Sequence, residues 1–261
     1  MITVTSAQIH VWIASFLWPL TRILGLIAAA PLFGNVSVPA RVKVALGVML
    51  TLIIAPGVPA LPAVDPMSLA GLVIVAQQLV IGLALGFAMN LVFNAVEMAG
   101  EIVGLTMGFG FATFFDPQTH GRSSAIDQFL SLLAIMLFLA TNVHLAMLAT
   151  LAHTFSTLPV SDAPVGIGGL RQLATWGGVI FSAGVQLALP MIAALLITNV
   201  ALGILTRAAP QLNLFGIGFP ITLGVGFIVL ALSLPYLATP MGRLFEQGLG
   251  LMGEMATAVA R

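Results

Sequence analysis

The sequence predicts an all-α, membrane-associated protein of helical hairpins, with about six long apolar helices. Three observations carry this. Of 261 residues, 60% are hydrophobic and 6% are charged, with a mean hydropathy of +1.15, whereas a soluble domain is about 25% charged. So few charges cannot cover a water-soluble globule, so the surface belongs to lipid or to an assembly that buries it. Several apolar runs reach the roughly 20 residues that span a bilayer. No strand-like alternation interrupts them, and an isolated segment in lipid satisfies its own backbone only as a helix.

Six segments follow, at about 9–30, 42–56, 68–95, 125–156, 173–206 and 213–238. The first holds Arg22 in its middle. It lacks the basic start of a cleaved signal peptide and is expected to act as its own uncleaved signal. Pro31, Gly34 and Pro39 set a sharp turn into the second segment, whose opening carries Arg41 and Lys43, placed to meet lipid headgroups or an acidic partner. Only about a dozen clean apolar residues separate Lys43 from Pro56, and Pro59, Pro62 and Pro66 punctuate the connection beyond. The third segment contains Gly82 and Gly86, a GxxxG read as tight helix packing, and ends in Asn90, Asn94, Glu97 and Glu101. Ser123 or Ser124 is a good N-cap for the fourth, with Asp127 where a capping-box acid would sit. The fifth holds Gln186, Pro190 and Asn199. After the sixth, residues 241–261 are weakly amphipathic, with Arg243, Glu246, Glu254 and Arg261 among apolar neighbours, and are expected to form a separate surface helix.

The charge pattern excludes several functions. A net charge of zero leaves no basic footprint for nucleic acid. The absence of cysteine removes disulfides and thiolate metal sites. There is no HExxH and no Walker loop; His10, His120, His144 and His153 do not form an i, i+4 metal pair. The Gly-Arg-Ser-Ser run at 121–124 fits a helix cap better than a nucleophile paired with His144. No cofactor or metal site is expected. With the N-terminus outside, Arg41, Lys43, Arg122 and Arg207 lie inside and Arg171, Arg243 and Arg261 outside, too even a split to orient a simple bundle.

Two places remain open on the residues alone. Glu97 and Glu101 stand one helical turn apart on a shared face, and a charge at a helix centre costs roughly 2.5–3.5 kcal/mol. They fit a proton or ion site, or a polar face paired with another subunit, and the lack of an obvious facing cation favours the second. The run "GFGFATFFDP" at 108–117 is too glycine-rich for a good helix and too apolar for a solvated loop. Its phenylalanines either form an apolar constriction or pack a helix junction.

Three blocks supply a resemblance. "RILGLIAAAPLFGNVSVPARVKVALGVML" (22–50) carries an arginine in the first helix, a P-x-F-G turn and V-P-x-R-x-K opening the next helix. "GLALGFAMNLVFNAVEMAGEIVGLTMGFGFATFFDP" (82–117) adds the glycines, the acidic pair and the glycine-phenylalanine loop. "RAAPQLNLFGIGFPITLGVGFIVLALSLPYL" (207–237) completes it. In this order and across the whole chain, the sequence resembles the FliR family of flagellar biosynthetic proteins, of which a virulence-type injectisome homologue is the closest rival.

The resemblance implies a non-enzymatic export-gate subunit of the type III secretion apparatus. It would assemble with FliP and FliQ in a pseudo-symmetric helical ring around a pore, with FlhB and FlhA nearby, in the inner membrane at the flagellar basal body. It also implies one export-gate domain over 1–261, with a FliP-like part at about 1–160 and a FliQ-like hairpin part and C-terminal tail at 161–261. Unfolded export substrates and membrane lipid would be its other partners. The loop of Met107, Gly108, Phe109, Gly110, Phe111, Phe114 and Phe115 would then project into the pore and close it, its glycines letting the backbone flex. Arg22, Glu97 and Glu101 would be shielded by neighbouring subunits. The competing function is a secondary transporter of a small solute, using Arg22, Asn94, Glu97 and Glu101 as its intramembrane site.

Overall fold

The computed structural model describes residues 6–59, 61–62, 64–109, 125–164, 166–209 and 218–259. These form eight α-helices and no strand: α1 Ser6–Ala29, α2 Ala40–Ile54 with a 3₁₀ turn at Ala55–Gly57, α3 Leu69–Met107, α4 Ala125–Ala140, α5 Val143–Thr157, α6 Gly168–Trp176, α7 Val179–Ala208 and α8 Phe219–Val259. Among the described residues, five stretches are long and apolar enough to cross a membrane: His10–Ala29, Ala40–Gly57, Leu69–Met107, Gly168–Ala208 and Phe219–Ala258. The broken pair α4 and α5 raises this to as many as six.

Among the described residues the six expected segments are present as helix, with four differences, one being that the fifth is interrupted at Gly177–Gly178 between α6 and α7. The third runs on through Asn94, Glu97 and Glu101 to Met107, because polar side chains on one face do not interrupt backbone hydrogen bonding. The fourth breaks at Asn142, whose φ of 58° lies in the left-handed region, a conformation that asparagine tolerates better than most residues. The sixth continues through Pro235 and Pro240 into the stretch expected to be a separate surface helix, giving one helix of 41 residues.

The described residues fall into two compact units. The first draws on Met1–Leu91, Asn142–Gly177 and Phe245–Arg261, the second on Val92–Thr141 and Gly178–Leu244.

In the first unit, α1 and α3 are in backbone contact. A Cβ built on Gly25 would lie 2.7 Å from Leu79 O; one on Gly86 would lie 2.6 Å from Leu26 O; one on Gly82 would collide with Arg22 O. The GxxxG pair thus does what tight packing requires, with Gly25 as its counterpart on α1. Trp18, Ile23, Leu26 and Ile27 of α1 and Ile74, Leu85 and Met89 of α3 are fully or almost fully buried. Against α1, α2 offers Gly47, where a Cβ would meet the Leu24 side chain; Val42, Val44, Met49, Leu52 and Ile53 remain exposed.

In the second unit, the rings of Phe93 and Phe138 meet edge to face, centroids 5.4 Å apart. Gly100 lies directly on the Asp127 backbone, and Gly184 accommodates Met98. Asp127, expected as a capping acid, is buried in the first turn of α4; Ser123 and Ser124 lie outside the described residues.

Candidate functional site

Arg22 is completely buried, and the chain itself surrounds it. Its Nε donates to Gln78 Oε1 at 2.8 Å. One terminal nitrogen donates to Thr154 O at 3.1 Å and Thr154 Oγ1 at 3.2 Å, the other to Leu158 O at 2.9 Å. The guanidinium carbon stands 4.3 Å from the centre of the Phe155 ring, within cation–π range. Thr154 O lies in the last turn of α5 and also accepts from Leu158 N at 2.8 Å, while Leu158 O stands at the exit, where carbonyls have no helical partner and the dipole is negative. Arginine suits this position because its planar fork satisfies several fixed acceptors at once and keeps its charge. No carboxylate pairs with it among the described residues. Shielding by neighbouring subunits, expected from the sequence, is therefore not what accommodates Arg22. Nothing in the sequence linked Arg22 to acceptors 132 and 136 positions away, two of which are main-chain atoms. Gln78, a polar residue inside an apolar run, was the one visible hint.

The turn after α1 is tight in the expected place. Phe33 N donates to Pro31 O at 2.8 Å, and Leu32 between them has φ 66°, the geometry of a γ-turn. Gly34 N donates to Ala30 O, and a Cβ on Gly34 would lie 2.7 Å from Ala28 O. Lys43 Nζ returns to Gly34 O at 2.9 Å, so this lysine closes the turn. Pro39 precedes α2 at its N-cap position, and Arg41 is exposed one residue into the helix.

In the second unit, Asn94 is half-buried and Glu97 and Glu101 are exposed, spaced to share one face of α3. This is a polar stripe on a helix otherwise apolar enough to cross a membrane. The helix ends at Gly108, with φ 94°. Gly108 N donates to Leu105 O and Phe109 N to Gly104 O, the paired bonds of a Schellman stop. Gly108 is therefore a helix terminator, which is a different task from the flexing expected of it. Met107 is fully buried and fills the space that Gly226 leaves open. The Phe109 ring meets Phe227 edge to face at 6.3 Å. The loop's first residues thus pack into this unit. Gly110, Phe111, Phe114 and Phe115 lie outside the described residues.

Against this geometry, a family model described as bacterial export proteins, family 1, matches residues 13–248. The chain is 44% identical over 260 residues to a protein named flagellar biosynthetic protein FliR from Pectobacterium carotovorum subsp. carotovorum, covering 100% of this chain and 99% of that one. It is likewise 44% identical over 255 residues to the protein of that name from Escherichia coli (strain K12), 98% and 97% being covered. The similarity extends to the Bacillus subtilis (strain 168) protein of that name, at 27% over 248 residues, or 94% and 95% of the two chains.

Proposed function

Because this chain belongs to the bacterial export proteins of family 1, we propose that it is a non-enzymatic core subunit of the flagellar protein-export gate. In this reading it sits in the bacterial inner membrane at the flagellar basal body. With FliP and FliQ it forms the channel for unfolded flagellar proteins, and FlhB and FlhA lie nearby.

The observation that carries the reading is the exposed Glu97 and Glu101 on α3. Lipid would penalise each by roughly 2.5–3.5 kcal/mol near mid-bilayer, so this face lies beyond the hydrocarbon or meets a subunit or a water-filled passage, the latter being the arrangement proposed. The solute-transport alternative loses its cation, since Gln78, Thr154 and Leu158 already occupy Arg22.

The test is Glu97→Leu/Glu101→Leu, co-expressed with FliP and FliQ. A face that meets lipid gains from this change, so assembly and flagellar secretion should persist or rise. A subunit or channel face loses its polar contacts, so the chain should stay in the membrane while co-purification with FliP and FliQ, or secretion, falls about tenfold or more. Unchanged assembly and secretion would overturn the reading.

The loop beyond Gly108 is proposed as the apolar closure of that channel. Phe109 has a packing partner in Phe227, so the closure falls to Phe111, Phe114 and Phe115. Changing these three to serine should leave the subunit's membrane level intact and make the membrane leaky to ions. Phe109→Ser should instead lower stability, with roughly 0.5–1.5 kcal/mol from the lost ring pair alone. A normal level without leak in the triple variant would remove the gating role.

A further inference from the structure

A cavity of about 350 Å³ opens in the first unit between α6 and the last turns of α8, lined by Gln172, Thr175, Trp176, Gln247, Gly250, Leu251 and Glu254. That volume lies within the roughly 300–1,000 Å³ of small-molecule sites. The two helices are held close there: a Cβ on Gly168 would stand 2.9 Å from Ala258 O. Gln172 Nε2 donates to Glu254 Oε2 at 2.6 Å, which positions the carboxylate. Nothing lies within 4 Å of where a Cβ on Gly250 would be, so that wall is open. No basic side chain lines the cavity; its one formal charge is Glu254.

The lining asks for two things at once. Glu254, with the amide oxygens of Gln172 and Gln247, suits an ammonium group that donates hydrogen bonds, and an indole in the wall favours a cation. The side-chain amide of Gln247, exposed in the same lining, also offers N–H donors to an acceptor. A lysine side chain supplies the cation alone. A zwitterionic phosphoethanolamine group supplies both, its ammonium for Glu254 and its phosphate oxygens for the Gln247 amide.

The position fits a membrane surface. Trp176 closes a short helix just before the apolar α7 begins at Val179, and tryptophan concentrates at the membrane–water boundary. On α8 the first charge after Phe219 is Arg243, so Gln247 to Glu254 follow where the apolar run has ended.

We propose that this groove is a headgroup site for an aminophospholipid, with Glu254 as counter-charge to the ammonium. The full chain, purified in detergent with its assembly partners, is titrated with short-chain phosphatidylethanolamine, phosphatidylcholine and phosphatidylglycerol, and bound lipid is counted by native mass spectrometry. Phosphatidylethanolamine should bind about tenfold more tightly than the other two, because choline has no N–H to donate and glycerol no cation. Glu254→Gln should erase that preference, and Gln247→Ala should weaken it. Both residues are exposed, so helix content should be unchanged. Equal binding of the three lipids, or a preference that survives Glu254→Gln, overturns the site. Displacement by free ethanolamine at the lipid's own concentration assigns it to a soluble amine. Displacement by a lysine-bearing peptide, without headgroup preference, assigns it to a protein side chain. Either displacement overturns the lipid assignment.

Discussion

Replacing Arg22 with alanine is expected to cost the chain most of its folding stability. The change leaves Gln78 Oε1 and Leu158 O without this donor and Thr154 O with Leu158 N alone, all inside the protein. Each orphaned acceptor costs about 1–3 kcal/mol, against a typical native margin of about 5–15 kcal/mol. Arg22→Met separates the polar loss from the cavity, since methionine restores bulk without donors, and it should be nearly as damaging. Arg22→Lys should fall between, because one ammonium cannot serve acceptors spread around a fork. Two of the acceptors are main-chain carbonyls, so no second-site substitution removes them, and Gln78→Leu should rescue little. Membrane level after co-expression with FliP and FliQ, and thermal unfolding in detergent, read the series. A stable Arg22→Met variant would show that the hydrogen bonds to α5 contribute little.

Gly82→Ala should destabilise, against the usual helix rule. In an ordinary helix interior, alanine is favoured over glycine by about 0.8–1.0 kcal/mol. Here the new methyl would fall on Arg22 O, with Leu26 N also only 3.0 Å away, and main chain cannot step aside as a side-chain end can. Overpacking typically costs about 1–3 kcal/mol, and Gly82→Leu should prevent α1 and α3 from packing at all. Gly203→Ala on α7, where nothing lies within 4 Å, is the control and should be neutral or slightly stabilising in the same unfolding measurement. Matching effects at the two positions would contradict the close approach of α1 and α3.

How far the sequence could be read differs between helix bodies and helix ends. Hydropathy located every long helix because burial of apolar side chains is a property of the residues themselves. It misplaced ends because ends depend on the backbone. α3 outlasts its apolar run and stops where Gly108 takes positive φ, and α8 outlasts Pro235 and Pro240, as lost bonds at proline are re-satisfied within helices of this kind. In the candidate site, the exposed Glu97 and Glu101 were legible as a costly pair. The fate of Arg22 was not: its partners sit on α3 and at the exit of α5, and two are carbonyls common to every residue type. The groove beside Trp176 was equally hidden, since Gln172 and Glu254 lie 82 positions apart.

The length of α3 has a consequence for the height at which the chain rides in the membrane. From Leu69 the helix meets no formal charge until Glu97, and positions 69–96 measure about 42 Å at 1.5 Å per residue. The hydrocarbon layer is about 30 Å thick. Some 12 Å of slack remains, about two helical turns of 5.4 Å, over which α3 can slide or tilt without drawing a charge into oil. On α8 the charge-free stretch 219–242 measures about 36 Å by the same rise, a slack of roughly one turn. The lipid therefore sets only a range of depths for α3, and whatever grips Glu97 and Glu101 selects the level within it.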